Sequence, residues 1–388
     1  MIKKISKLLL ICIILTSLTV HASQNEVPLQ NDEVETAANE ALTSAEAEPV
    51  VYTLTLADAI AMAAKDSSQL AVCDINKQSL QKQRNDAAGQ QRDSKNIPVY
   101  MNKNFELMFV KKGYYVSMFD KYILLADDEK AKVYASIAYD TTQKYFTYKN
   151  SLALLEAAEN GLERAKENLE IINQKYALGM CARLEVTNAE IARDECIANV
   201  TQSQHNTDLC KDSLKICLNI EEDCEFILTD EIEVNEFNAE LETDTQNALT
   251  TRYDVKALKT SSDLAEEYFS ITKGLNEDSV TYYSAYADYT ESIYNYDNGV
   301  KNIKLGIKSS YYNAIDAHGA TQIAKQKVEF LKSQYEVSKL QFEMGMITNI
   351  VLSSKSDELT AAEIAYNNCL LTEKLAVENY NYQITIGI

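Results

Sequence analysis

Residues Leu162–Val186 read LERAKENLEIINQKYALGMCARLEV, and residues Val328–Leu352 read VEFLKSQYEVSKLQFEMGMITNIVL. Each is a helical pattern that runs into a glycine and resumes beyond it. Before the first glycine, Leu155, Ala158, Leu162, Ala165, Leu169, Ile172 and Tyr176 alternate by three and four, the a/d pattern of a coiled coil. After Gly179 the pattern resumes with Val186, Ala189, Cys196, Val200, Ser203, Cys210, Leu214 and Cys217, interrupted by Arg193. Helices commonly end with glycine in the left-handed conformation, so chain reversals are expected at Gly179 and Gly345. Tyr145 to Gly179 alone would run for ~50 Å at 1.5 Å per residue, longer than a compact core needs. Length itself reads as part of the function.

Working outward, the two stretches are copies. Tyr176-Ala177-Leu178-Gly179-Met180 recurs as Phe342-Glu343-Met344-Gly345-Met346, an offset of 166 that also aligns Tyr145-Phe146 with Tyr311-Tyr312 and Leu162 with Val328. The openings match more weakly: Leu56-Ala57-Asp58-Ala59-Ile60 leads to Ser68-Gln69-Leu70, and Asn247-Ala248-Leu249 leads to Tyr253-Asp254-Val255. Both copies end on short apolar tails, Ile216–Ile220 and Ile384–Ile388. The expected architecture is therefore all-α: two tandem repeats of long coiled-coil hairpins, 52–228 and 229–388. Ten glycines and three prolines in 388 residues agree with few, long helices.

The N terminus indicates export. Lys3, Lys4 and Lys7 precede an apolar run from Leu8 to Val20, and Val20-His21-Ala22 offers a cleavage site, so residues 1–22 read as a signal peptide. The run is too short for a membrane helix, and Cys12 lacks a preceding lipobox. Residues 23–51 read as an acidic disordered linker, with order beginning near Tyr52. Losing the three leader lysines would leave 34 basic against 58 acidic residues, which excludes nucleic acid as a natural partner. No later stretch is apolar enough to span a bilayer as a helix.

Catalytic chemistry finds no foothold. Past the leader stand only His205 and His318, on different expected helices, and no P-loop, GxSxG, GxGxxG, HExxH or EF-hand pattern occurs. His318 reads as a helix-surface or packing residue, and no cofactor or metal is expected. Cys196, Cys210, Cys217 and Cys224 fall at spacings of 14, 7 and 7, with Ala189 and Ser203 at the same heptad position. Residues seven apart on a helix are separated by ~10 Å, so this is a packing seam rather than a zinc site. Glu221-Glu222-Asp223 reads as a solvated charge run.

With these residues in place, the sequence from Tyr52 to Ile388 resembles the TolC-like outer-membrane efflux protein family. The resemblance is carried by the opening LTLADAIAMAAKDSSQL (Leu54–Leu70), the two glycine-tipped arms, and their duplication in order. It implies a homotrimer whose helices form a hollow α-barrel, a passive conduit for efflux or type I secretion, exported to the cell envelope and to the outer membrane if the host has one. It implies tips that dock a periplasmic-type adaptor of an inner-membrane pump of the RND or ABC class. Those tips would be Gly179, Met180, Cys181, Ala182, Arg183 and Leu184, with Gly345, Met346, Ile347, Thr348, Asn349 and Ile350. A structural turn explains the glycines equally well. Glu185 and Asp357 are candidate aperture carboxylates, for which exposed helical carboxylates are the alternative reading.

The membrane end departs from the family. Spanning strands need ~9–11 residues each, whereas Phe105–Val110 and Tyr114–Phe119 around Lys111-Lys112-Gly113 offer at most a vestigial β-hairpin. The second interruption, Gly274 to Asp278, has no alternating run, and the tyrosines from Tyr282 to Tyr296 look like a helical aromatic surface. A non-transport envelope spacer or stalk that kept the fold without the barrel is the alternative function.

Overall fold

The computed structural model describes residues 50–98, 105–221, 224–234, 237–273 and 279–387. The expected leader and residues 23–49 of the expected linker lie outside the described residues, as do 274–278. All described elements belong to one compact unit, Pro49–Ile388. Their order is β1 (Val50–Leu54), α1 (Leu56–Lys65), α2 (Ser68–Ser94), α3 (Phe105–Lys112), α4 (Tyr114–Ala177), α5 (Arg183–Cys217), β2 (Cys224–Leu228), α6 (Leu241–Thr251), α7 (Tyr253–Thr272), α8 (Val280–Glu343) and α9 (Asn349–Thr385).

The duplication is visible in the element bounds. Helices α4 and α8 both span 64 residues and start and stop 166 apart, and α5 and α9 start 166 apart. At 1.5 Å per residue each 64-residue helix is ~96 Å long. The openings, α1 with α6 and α2 with α7, start 185 apart, so the first copy holds extra chain between the start of α2 and the start of α4. That extra chain is the longer α2 and the short α3.

Helices α4 and α5 form one hairpin, α8 and α9 the other. On α5 the inward positions recur every seven residues, Val186, Val200, Thr207 and Leu214 being buried with Arg193 as the half-exposed exception. Beside them Ala189 is buried, while Cys196, Ser203, Cys210 and Cys217 are half-buried. The two hairpins meet along α4 and α9. Asn150 Nδ2 donates to Asn368 Oδ1 at 2.9 Å, and Arg164 forms an ion pair with Asp357. Moving from Asn150 to Arg164 climbs toward Gly179, while moving from Asn368 to Asp357 climbs toward Gly345. Both tips therefore sit at the same end.

At the lower part of the first hairpin, β1 and β2 pair in parallel from Val50 opposite Cys224 to Leu54 opposite Leu228. Leu54, Cys224 and Phe226 pack on the fully buried Tyr145 and Phe146 of α4 and on Leu214 of α5. Tyr145 is the pin of this layer. Its hydroxyl donates to the Leu54 carbonyl at 2.9 Å and accepts from the Asp230 amide at 3.2 Å, joining helix, strand and the chain after β2. A second core joins Ala248 and Val255 to Ile303, Ile307 and Tyr380 in the second copy.

The structure changes three sequence expectations. Val50 and Val51, inside the expected linker, belong to β1, where they pair with Cys224 and Glu225 of β2. Cys224 leaves the α5 seam and becomes the buried first residue of β2. Where a vestigial β-hairpin was the most that seemed available, Phe105–Lys112 and Tyr114 onward are helices broken at Gly113 (φ +79°). Two six-residue strands would be marginal alone, whereas helices bury Phe109, Val110, Met118 and Phe119 within the bundle.

Candidate docking site at the hairpin tips

Both tips are built by the same backbone bonds. After α4, the Met180 amide reaches the Lys175 carbonyl at 2.8 Å and the Gly179 amide the Tyr176 carbonyl at 2.9 Å. After α8, Met346 reaches Gln341 and Gly345 reaches Phe342, both at 2.8 Å. These are Schellman closures, which need a left-handed residue at the glycine; both glycines have φ +72°. A Cβ on either would meet nothing within 4 Å, so glycine serves the backbone conformation and not a close contact.

Past the turn, Ala182 and Thr348 are extended and open α5 and α9 without a side-chain cap. The Glu185 amide is held by the Ala182 carbonyl and the Val351 amide by that of Thr348. With the backbone largely self-satisfied, the apolar side chains are left outward. Met180 is 71% exposed and Met346 68%, and Leu178, Leu184, Met344 and Ile350 are also exposed. Cys181 and Ile347 are half-buried, the Cys181 thiol donating back to the Ile172 carbonyl at 3.5 Å. Arg183 pairs with Glu190 at 3.6 Å, and Asn349 and Thr348 are exposed. Both turns thus leave apolar side chains exposed at the same end of the bundle.

The candidate aperture carboxylates are separate. Glu185 is exposed in the first turn of α5, whereas Asp357 lies in the seam between hairpins against Arg164. Arg164 Nε and Asn168 Oδ1 are buried there without a hydrogen-bond partner, so the seam is polar and only partly satisfied. Sequence reading missed Arg164; it stands on the first repeat and its partner on the second, and no local spacing links them. His318 brings its Nδ1 to 2.6 Å from Glu373 Oε1, joining α8 to a buried carboxylate on α9, a packing link across the hairpin. Arg252 is a second missed residue. Nearly buried, it grips Asp254 with Nε and Nη2 at 2.9 and 2.6 Å and the Gln383 carbonyl with Nη1, tying the start of α7 to the end of α9.

Electrostatics agree with packing roles. Burial pushes the Cys217 thiol up, with the Thr141 hydroxyl at 3.3 Å pulling the other way, so it is kept as a thiol rather than a reactive thiolate. Burial also pushes up Tyr145, and pushes Tyr253 up to about 12 with the nearby Glu129 adding to the effect. Among the described residues no group of three or more His, Cys, Asp or Glu could hold a metal ion, and no helix is long and apolar enough to cross a membrane.

No family model matches the sequence, and no curated protein matches it. Solved structures do match by fold. The Campylobacter jejuni CmeC outer membrane channel superposes with a TM-score of 0.65 at 13% identity, over 92% of this chain and 94% of that one. The chain has the TolC-like channel fold. The open state of the Neisseria gonorrhoeae MtrE outer membrane channel gives a TM-score of 0.65 at 11% identity, covering 86% and 89% of the two chains. The Vibrio cholerae outer membrane protein VceC gives 0.62 at 13%, covering 86% and 97%. At 11–13% identity the likeness is one of fold, and the CmeC and MtrE structures that share it are outer membrane channels.

Proposed function

We propose that the protein is the channel subunit of an efflux or secretion assembly in the cell envelope. Three copies would close their hairpins into a hollow barrel, with α4/α5 and α8/α9 as staves, and solutes or exported polypeptide would pass through passively. The observation that carries this reading is the pair of identically closed tips at one end of the bundle, whose exposed methionines and leucines suit docking to the adaptor of an RND- or ABC-class pump. A solitary helical spacer has no use for two matched sets of exposed apolar side chains at one end.

Electron micrographs of the purified protein test the conduit: a threefold ring with an open lumen supports it, and a monomer or solid bundle sinks it. The docking role has its own test. Met180→Asp with Met346→Asp, both exposed, should leave the melting temperature unchanged while abolishing co-purification of any adaptor protein that wild type retains from host envelope extracts.

One observation favours the spacer reading instead. Only residues 95–104 separate α2 from α3, and only 273–279 separate α7 from α8. A pair of spanning strands with its turn needs roughly 20 residues. The same micrographs decide between the two, since a stalk requires no lumen.

A further inference from the structure

Between α8, α9 and the chain that follows β2 lies a cavity of about 570 Å³. That size falls inside the range of roughly 300–1,000 Å³ usual for small-molecule sites. Tyr311 and Ile315 of α8 line it on the side of His318 away from the tips, and Tyr366 of α9 lines it on the side of Glu373 toward the tips. Phe237 joins the lining from the chain after β2. Its ring meets Tyr311 at 5.8 Å and the buried Tyr380 edge-on at 5.2 Å, so this aromatic wall is anchored in the second core.

One wall of the cavity carries a buried charge. Glu373 is 4% exposed, and His318 Nδ1 lies 2.6 Å from its Oε1. Among the described residues this is the one hydrogen bond to the carboxylate, and Oε2 is left over from it. The histidine is a counter-charge only when protonated. Lys374, the next residue, turns instead to the Glu378 carboxylate at 3.3 Å and the Glu233 carbonyl at 3.1 Å. Lys325 lines the cavity from seven residues further along α8, ~10 Å nearer the tips, and is exposed. A buried carboxylate without a fixed cation is costly. An apolar side chain would close the hairpin here without that cost, so the position supplies charge to the cavity rather than packing alone.

The lining discriminates among ligand classes. A metal ion would need more donors, since among the described residues no group of three or more His, Cys, Asp or Glu could hold one. An anion would face the carboxylate, and a neutral molecule would leave its charge uncompensated. A cation with an apolar body satisfies both halves: its N–H groups donate to a carboxylate oxygen, and the rings offer apolar area and π faces. We propose that this cavity binds an organic ammonium ion, an amine with an aromatic or branched aliphatic body. The ammonium pairs with Glu373 through Oε2, and the body lies on Phe237, Tyr311 and Ile315. His318 holds Oε1 and so orients the carboxylate. The site belongs to one hairpin and its adjoining chain, so it stands whether the assembled protein is a conduit or a spacer.

Isothermal titration calorimetry on the purified exported protein tests the site with three probes of one shape: 1-naphthylmethylammonium, neutral 1-naphthylmethanol and anionic 1-naphthoate. The ammonium is expected to bind saturably, once per chain. The alcohol should bind at least about tenfold more weakly, because a charge-assisted hydrogen bond is lost, and the naphthoate not at all. Glu373→Gln keeps the side-chain shape and an acceptor for His318; it should weaken the ammonium about tenfold and leave the alcohol unchanged. Ile315 is 43% exposed, so Ile315→Lys sets a cation on the cavity wall without opening the core and should weaken the ammonium as much. If Glu373→Gln does not fold, Ile315→Lys decides alone. The proposal is overturned by no saturable binding of the ammonium, by equal affinity for the alcohol, or by ammonium binding that a folded variant of either kind leaves unchanged.

Discussion

Three helix ends in the first hairpin and the second use one closure with two residue types. Gly179 and Gly345 stand at φ +72°, and Asn219 ends α5 at φ +55°, with the Ile220 amide reaching the Lys215 carbonyl at 3.0 Å. Asparagine tolerates the left-handed region better than other residues with a Cβ, and neither tip glycine has a neighbour that a side chain would strike. Gly345→Asn should therefore unfold like wild type in guanidinium, whereas Gly345→Val should lose about 1–2 kcal/mol. Equal loss from both would mean that space, not backbone angle, selects the glycine. Tyr145 offers the complementary case. Removing its hydroxyl in Tyr145→Phe leaves the Leu54 carbonyl still bonded by the Thr229 amide at 3.2 Å, but deprives the Asp230 amide of its partner. A loss of about 1–2 kcal/mol is expected in urea unfolding, and a neutral result would show that water replaces the bond.

At the scale of elements, the hairpins and their tips were legible because both signals are local: a stripe repeating by three and four, and a glycine that stops it, each seen twice at one offset. The β1–β2 pair was not legible. Five-residue strands carry little periodicity, and β1 and β2 lie 174 residues apart in the chain, so no local signal links Val50 to Cys224. The run Phe105–Val110 was ambiguous because a short apolar run fits either period; burial of Phe109 against Tyr268 decides for helix. The Arg164–Asp357 pair was hidden for a third reason, since it joins different repeats. It also makes a prediction about how the hairpins are held. Replacing Asp357 with lysine puts two like charges in a seam that already contains unpartnered polar atoms, so the hairpins should part near their tips. Spin labels at the exposed Leu178 and Met344 should report a broader and longer distance distribution in Asp357→Lys than in wild type, with far-UV circular dichroism unchanged. An identical distribution would show that apolar contacts alone set the separation.

Across the whole described unit, tyrosine is the residue that links packing to pH. Burial is the leading cause of upward shifts at Tyr145, Tyr148, Tyr253, Tyr268 and Tyr380, with nearby carboxylates adding at Tyr253 and Tyr268. Each phenol holds its proton more tightly folded than unfolded. The stability this supplies is complete below the ordinary tyrosine value of about 10 and is lost as pH rises through the folded values, through about 12 for Tyr253. The fold should thus be insensitive to tyrosine ionisation at neutral pH and should unfold cooperatively in alkali, with tyrosinate absorbance rising together with the loss of helix. General repulsion on an acidic chain also grows with pH, but it is screened by salt, whereas the desolvation of a buried phenolate is not. High salt should therefore leave most of the alkaline transition in place. Tyr253→Phe separates the terms further: it removes one ionisation from the interface of α7 with the neighbouring carboxylates and should move the transition to higher pH. Gradual tyrosinate formation well below the loss of helix would mean that these phenols are reached by water in the folded protein and that their burial does not govern its stability.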